Sequence, residues 1–404
     1  MQYRYLVSTI LMLSSFLLAQ ETPAAAGTPN ADLVKKIHTL EDLQSKIADH
    51  GAGLYILAIY YIRAGDLPKA LDTLKRSVAL DEGFDPAEDA EFAALHNNVE
   101  FESLLETARR HYPAMENARL AYIISEKDLI PEGLAAIPGD RGFYLGSLYH
   151  KKIVKISKDG TVSDFTVATQ PEWADVCGIK VDSANFEVWA ATCPDVGTSE
   201  LLHFGPNGKL IDRHSPTGPG PHELNDLVLR GEKEVYVTDT LGHQVLRFDR
   251  GSNTFTPLSF SRPLRQPNGI AISDDGSQLY VADEFGVFQV NLPPGAGKEI
   301  QPEPRSTLAG IDGLYWYRGN LVAVQNIGMR RIILGRLSAG SQPTAKVEVL
   351  ENRSNLITSP TTGAIAGTNF YFISNSQIEN LRDEKILDPS KLAPVMISVL
   401  PLKE

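Results

Sequence analysis

The chain is poor in cysteine, with only Cys177 and Cys193 among its 404 residues, so at most one disulfide can form. No Cys-x-x-Cys or His-x-His cluster occurs, and the nine histidines are scattered, which argues against a zinc site built from sulfur and imidazole. No apolar run reaches the roughly 20 residues that a membrane-spanning helix needs. A basic patch is also missing. The formal net charge of −12 would repel a phosphate backbone, which excludes nucleic acid as a partner. The short basic pairs Lys151-Lys152 and Arg330-Arg331 stand beside predicted strands and read as solvated edges.

What is present is an ordinary globular composition, 43% hydrophobic and 22% charged, sufficient for a buried core and more than one folding unit. Residues 1–20 carry an early Arg4 and an apolar run from Leu6 to Leu18, and a small, polar stretch follows. This is a signal-peptide pattern with a linker over 21–31, and it predicts a periplasmic or secreted protein with no membrane span in the mature chain. In that oxidising setting Cys177 and Cys193 can pair across one predicted hairpin, or Cys177 can point toward a site.

Residues 32–115 read as helix. In "GLYILAIYYIRAGDLPKALDTLKRSVAL" the apolar residues recur at spacings of three and four, and Gly65-Asp66 breaks the run, which predicts a helical hairpin. Its order of residues resembles one tetratricopeptide repeat, with Gly65 expected where two helices approach closely. "DAEFAALHNNVEFESLLETARRHYP" reads as a degenerate second unit. So short an array must lean on the rest of the chain or on a protein partner.

From residue 118 to 403 the pattern is all-β. Six stretches begin alike, among them "PEGLAAIPGDRGFYLGS", "LNDLVLRGEKEVYVTDT" and "PNGIAISDDGSQLYVAD". Aligned on Gly133, Gly178, Asp226, Gly269, Gly313 and Gly363, they are spaced by 45, 48, 43, 44 and 50 residues. A period in the forties built of short strands predicts a six-bladed β-propeller with a small helical domain before it. Either "ARLAYII" or "PVMISVLPL" can close the ring. Before each shared position stand Glu132, Cys177, Asn225, Asn268, Asp312 and Thr362, which the innermost strands would present to one axis. Two carboxylates and two carboxamides converging in an apolar channel call for a cation. An all-oxygen set favours calcium, then magnesium or manganese, over zinc.

The motifs "PEG" at Glu132, "LND" at Asn225, "PNGIAISDDGSQLYVAD" at Asn268 and "IDG" at Asp312 resemble the senescence marker protein and gluconolactonase family, and more distantly the paraoxonases and strictosidine-synthase-like propellers. The resemblance implies one divalent metal held by Glu132, Asn268 and Asp312, with Asn225 as a fourth ligand or substrate contact. It also implies hydrolysis of a lactone or related ester, with the attacking water activated by the metal or by Asp312 as the catalytic base. Two positions depart from it. Glu223 stands where such members often carry an Arg that grips a sugar acid, and Cys177 replaces a paraoxonase-type histidine; both are candidate substrate contacts. Asp239 and Asp283 read as loop caps, and His222 and His243 as the histidines nearest the predicted rim. A non-catalytic propeller, with the helical segment as a docking arm, is the rival reading.

Overall fold

The computed structural model describes residues 31–46, 50–167, 172–194, 197–293, 295–338, 340 and 342–402. The expected leader, and the linker up to residue 30, lie outside these residues. No helix among those described is long and apolar enough to cross a membrane.

Four helices come first: α1 (Ala31–Lys46), α2 (Gly51–Arg63), α3 (Leu67–Ala79) and α4 (Val99–His111). Asp66 caps α3 by accepting from the Lys69 amide at 3.2 Å, and Asn98 caps α4 through the Glu100 and Phe101 amides. Both caps satisfy amides that lack a partner inside the helix. The α2–α3 hairpin forms where the periodicity placed it, but Gly65 serves another purpose than close packing. Its φ is +78° and a Cβ there would meet nothing within 4 Å, so the tight turn needs a left-handed residue. The degenerate second unit has a 3-10 turn over Ala90–Leu95 in place of its first helix.

The rest is a six-bladed propeller. Its innermost strands are Pro131–Ala136, Val176–Val181, Leu224–Arg230, Ile270–Ile272, Ile311–Tyr317 and Gly363–Ala366. Five blades are antiparallel four-stranded sheets, and the fifth carries an additional short parallel strand, Gln301–Pro302. Both candidate closing segments are used. Arg119–Ile124 pairs with Val395–Pro401, which pairs in turn with Asn369–Ile373, so the two ends of the propeller meet in the sixth blade.

The helices pack on the face where the innermost strands begin. Tyr55, Phe84, Phe92 and Phe101 share a core with Phe285, Ala309 and Met329 of the fourth and fifth blades. Polar contacts lock this joint. The Asp85 amide donates to the Gly328 carbonyl at 2.8 Å, Arg353 grips the Asp85 carboxylate (Nε–Oδ2 2.6 Å), and Arg331 donates to the Glu82 carbonyl at 3.0 Å. Arg331 is thus no solvated edge, being 1% exposed, with its Nε on Gln325 at 2.7 Å and its guanidinium over the Tyr112 ring. A pairwise reading of basic residues misses it because one partner comes from the helical layer and another from the neighbouring strand.

On the same face, residues 374–394 connect two strands of the sixth blade. Ile378, Leu381 and Leu392 of this connection roof Cys177, Cys193, Ile130 and Leu148.

Candidate functional site

The recurrent polar-Gly pair is a β-bulge. In the first blade Pro131 pairs with Ser147 and Leu134 with Leu145, leaving Glu132 and Gly133 opposite the single residue Gly146. The same shift falls at Cys177-Gly178, Asn225-Asp226 and Asp312-Gly313. In the fourth blade Asn268 and Gly269 both bond to Ala282. A bulge leaves one residue outside the ladder and re-aims its side chain, which is how a strand otherwise committed to the sheet turns a polar group toward the axis.

The glycines answer a second demand. A Cβ on Gly133 would lie 1.8 Å from the Cys177 carbonyl oxygen, one on Gly178 2.4 Å from that of Asn225, and one on Gly269 2.4 Å from that of Asp312. Each glycine therefore admits the backbone of the next blade at that blade's own bulge. Asp226 is the exception. Its carboxylate accepts from Lys180 Nζ of the second blade at 2.8 Å and from the Leu227 amide at 2.8 Å, so an ion pair between a buried Asp226 and a half-buried Lys180 sits near the axis. Beyond Lys180 the channel opens into a cavity of ≈ 490 Å³ lined by Leu134, Ile270, Ile272, Leu314, Trp316 and Ile365 among others.

Glu132, Asn268 and Asp312 act on one another. All three lie on bulges, and Glu132 and Asp312 are buried. Burial, then the Asp312 charge, raises the Glu132 carboxyl well above its ordinary range, with a further push from Asp226. Burial lifts Asp312 to about 7 against the hydrogen bonds of Asn326 and Asn268, which favour its charged form. Asn326 donates to Asp312 Oδ2 at 2.6 Å. Glu132 Oε2, Asn268 Oδ1 and Asp312 Oδ1 are buried without a hydrogen-bond partner. Buried oxygens in native proteins are normally satisfied, and three bare ones on mutually interacting residues fit a hard cation with oxygen ligands.

The other expected site residues are placed differently. Asn225 is half-buried on the third-blade bulge. Glu223 is buried, and its amide donates to Asp239. Thr362 donates its hydroxyl to the Glu132 carbonyl, tying the sixth blade to the first. Cys177 is bonded to Cys193 and offers no thiol, so a nucleophilic role is closed to it. The bond closes a loop across a sequence separation of 16, worth about 3 kcal/mol by chain entropy. Reduction is expected to lower the melting temperature by several degrees, and an unchanged melt in dithiothreitol would show that the bond adds nothing to stability.

Asp239 accepts from the Glu223 and Gly242 amides, and Asp283 from the Arg265, Phe285 and Gly286 amides, the capping role expected of both. His222 Nδ1 lies 2.6 Å from Asp239 Oδ2, and His243 Nδ1 accepts from the Gln266 amide. Sequence reasoning missed Asn326 and Lys180, since a lone amide in a loop and a lone lysine in a strand carry no signal. It also missed a grouping of Glu126, Asp128 and His150 at the propeller edge, where Lys152 lies 2.9 Å from Glu126.

No protein-family model and no curated protein matches the chain. Solved structures similar to it include a gluconolactonase from Xanthomonas campestris, at 16% identity over 72% of this chain and 91% of that one, with a TM-score of 0.49. A luciferin-regenerating enzyme matches at 14% identity over 69% and 95% of the two chains, TM-score 0.48. A virginiamycin B lyase from Staphylococcus aureus matches at 15% over 62% and 79%, TM-score 0.47. Likeness at this level transfers no activity, because propellers host unrelated chemistries.

Proposed function

We propose that this protein is an exported hydrolase of a lactone or related ester that works with one divalent cation, calcium first and magnesium, manganese or zinc after it. The observation that carries the reading is the trio of bare buried oxygens on Glu132, Asn268 and Asp312. These residues would hold the ion, with Asn225 as the fourth ligand or a substrate contact. Two carboxylates match the charge of a divalent ion. Bound there, the ion would polarise the ester carbonyl and stabilise the oxyanion.

The protein's own groups supply the rest. Asn326 holds Asp312 Oδ2, so Oδ1 faces the ion and the remaining lone pair of Oδ2 takes a proton from the attacking water. The water oxygen bonds to the carbonyl carbon, the ring C–O bond breaks, and the leaving oxygen receives the proton that Asp312 took from the water. Glu223 and the disulfide-bonded Cys177 replace the groups that would grip a sugar acid or act as a second base, so a less polar ester fits better than a sugar-acid lactone. The Cys177–Cys193 bond supports export, since such bonds persist in oxidising compartments.

The test is hydrolysis of a panel of lactones and aryl esters by the full chain, with calcium and with chelator. Calcium-stimulated turnover should fall by about 10²-fold or more in Asp312→Ala with circular dichroism unchanged. Turnover that survives in Asp312→Ala would remove this site from the chemistry. Calcium binding without turnover of any ester would favour the binding propeller, with the helices as its docking arm, a reading supported by the loss of a free Cys177 thiol.

A further inference from the structure

We propose that the helical layer sets the geometry of the carboxylate site, with Asn326 as the positioning residue through which it acts on Asp312. The inference rests on the metal reading for one of its assays and on geometry for its argument. Asn326 lies between the second and third strands of the fifth blade, in a connection that begins after Gln325 and ends at Arg331. Its amide nitrogen Nδ2 donates to Asp312 Oδ2 at 2.6 Å and to the Pro360 carbonyl at 3.0 Å. Its backbone N–H donates to the Gly310 carbonyl at 3.1 Å. One side chain thus orients the candidate ligand and ties the fifth blade to the sixth.

Arg330 donates to the Thr358 carbonyl on the sixth-blade side, and the other fixed points described for this connection come from the helical layer or lead to it. Gly328 is held by the Asp85 amide at 2.8 Å, and its φ of +69° places it so close to Tyr55 and Phe84 that a Cβ would approach both rings at 2.8 Å. Met329 belongs to the helical core, beside Tyr55 and Phe92. Arg331 spans the joint, donating to the Glu82 carbonyl and to Gln325 Oε1. Gln325 in turn donates to the Ala309 carbonyl at 2.6 Å, at the start of the strand that bears Asp312. Asn326 is therefore flanked on both sides by residues whose positions depend on helical docking. Surface loops usually tolerate displacement, but this one is clamped from outside the propeller and aimed at the site within it.

A helical segment that served only as a docking arm would need no such clamp. Groups that orient metal ligands from outside the coordination sphere typically alter metal affinity by about 10- to 100-fold when removed. Effects relayed through packed elements run smaller, roughly 3- to 30-fold.

The experiment uses the full chain in four forms: wild type, Asp312→Ala, Asn326→Ala and Arg353→Gln, the last altering the clamp on Asp85 and the neighbouring bond to the Tyr112 carbonyl, both on the helical side of the joint. Calcium alone is titrated calorimetrically, and backbone hydrogen exchange is followed in chelator. Calcium affinity should fall about 10- to 100-fold in Asn326→Ala and several-fold in Arg353→Gln, whose Asn326 amide should also exchange faster. Unchanged affinity in both variants, with binding abolished in Asp312→Ala, overturns the inference and leaves the metal site standing. A loss confined to Asn326→Ala overturns the role of the helical layer. Absence of calcium binding in the wild type defeats the metal reading; hydrogen exchange then decides alone, and an Asn326 amide equally protected in Arg353→Gln overturns the inference.

Discussion

Gly133→Ala is expected to be among the most damaging single methyl groups that could be added to the protein. The added Cβ would stand 1.8 Å from the Cys177 carbonyl oxygen, where neither backbone can give way without breaking the bulge or separating the first two blades. Overlap with backbone, unlike overlap with a flexible side chain, belongs to the small class of substitutions that cost more than about 4 kcal/mol. A chain of this size should lose on the order of 10 °C of melting temperature, or fail to fold. Gly335→Ala is the matched control, since its Cβ would meet nothing closer than 3.8 Å, and its melt should stay within a few degrees of wild type. If Gly133→Ala melts with the control, the blades are not packed through their glycines as described.

The second large effect is a pH dependence that calcium should reverse. Asp312 is lifted to about 7, and Glu132 is raised well above its ordinary value, both chiefly by burial. A carboxyl of pKa about 4 in the unfolded chain that titrates near 7 in the folded one binds more protons folded than unfolded across that interval. Stability in chelator is therefore present below about pH 4 and lost as the pH rises toward 7. At higher pH the metal-free protein must hold charged carboxylates in a buried channel, which costs several kcal/mol. Calcium bound as proposed would replace the proton, so its stabilisation should be small at pH 5 and largest near pH 8, where about 2.7 kcal/mol is expected at 100 times the dissociation constant. Melting curves at both pH values, with calcium and with chelator, check this. A calcium-induced shift that is larger at pH 5 would contradict the placement of the ion on these carboxylates.

The ring of blades was legible because bulge and turn chemistry write the same polar-Gly signature at a regular interval, and a period near 45 residues has few architectural solutions. The bulge positions of Glu132, Asn268 and Asp312 were legible for the same reason: position within a repeat substitutes for knowledge of contacts. Where the repeat breaks, reading failed. Asp226 holds the glycine position in the third blade, and only the structure shows its carboxylate turned to Lys180. Arg331 looked like half of a basic surface pair because its partners, the Glu82 carbonyl and Gln325, come from another layer and another strand. Asn326 left no trace, since a single amide in a loop acquires meaning only from what faces it. Local pattern reports what a strand does to its own blade, and is silent on what one layer does to another.

The sixth blade has a consequence for how the protein is made. Its outermost strand, Arg119–Ile124, is made before every other described strand, yet its partner Val395–Pro401 follows all the others. Until that partner arrives, the early strand keeps an unpaired edge, with Ile123 still 59% exposed in the finished fold, the kind of surface that invites pairing with another chain. Nascent chains halted before Val395 should therefore cling to one another, and the arrival of Val395–Pro401 becomes the step that converts a sticky intermediate into a sealed ring.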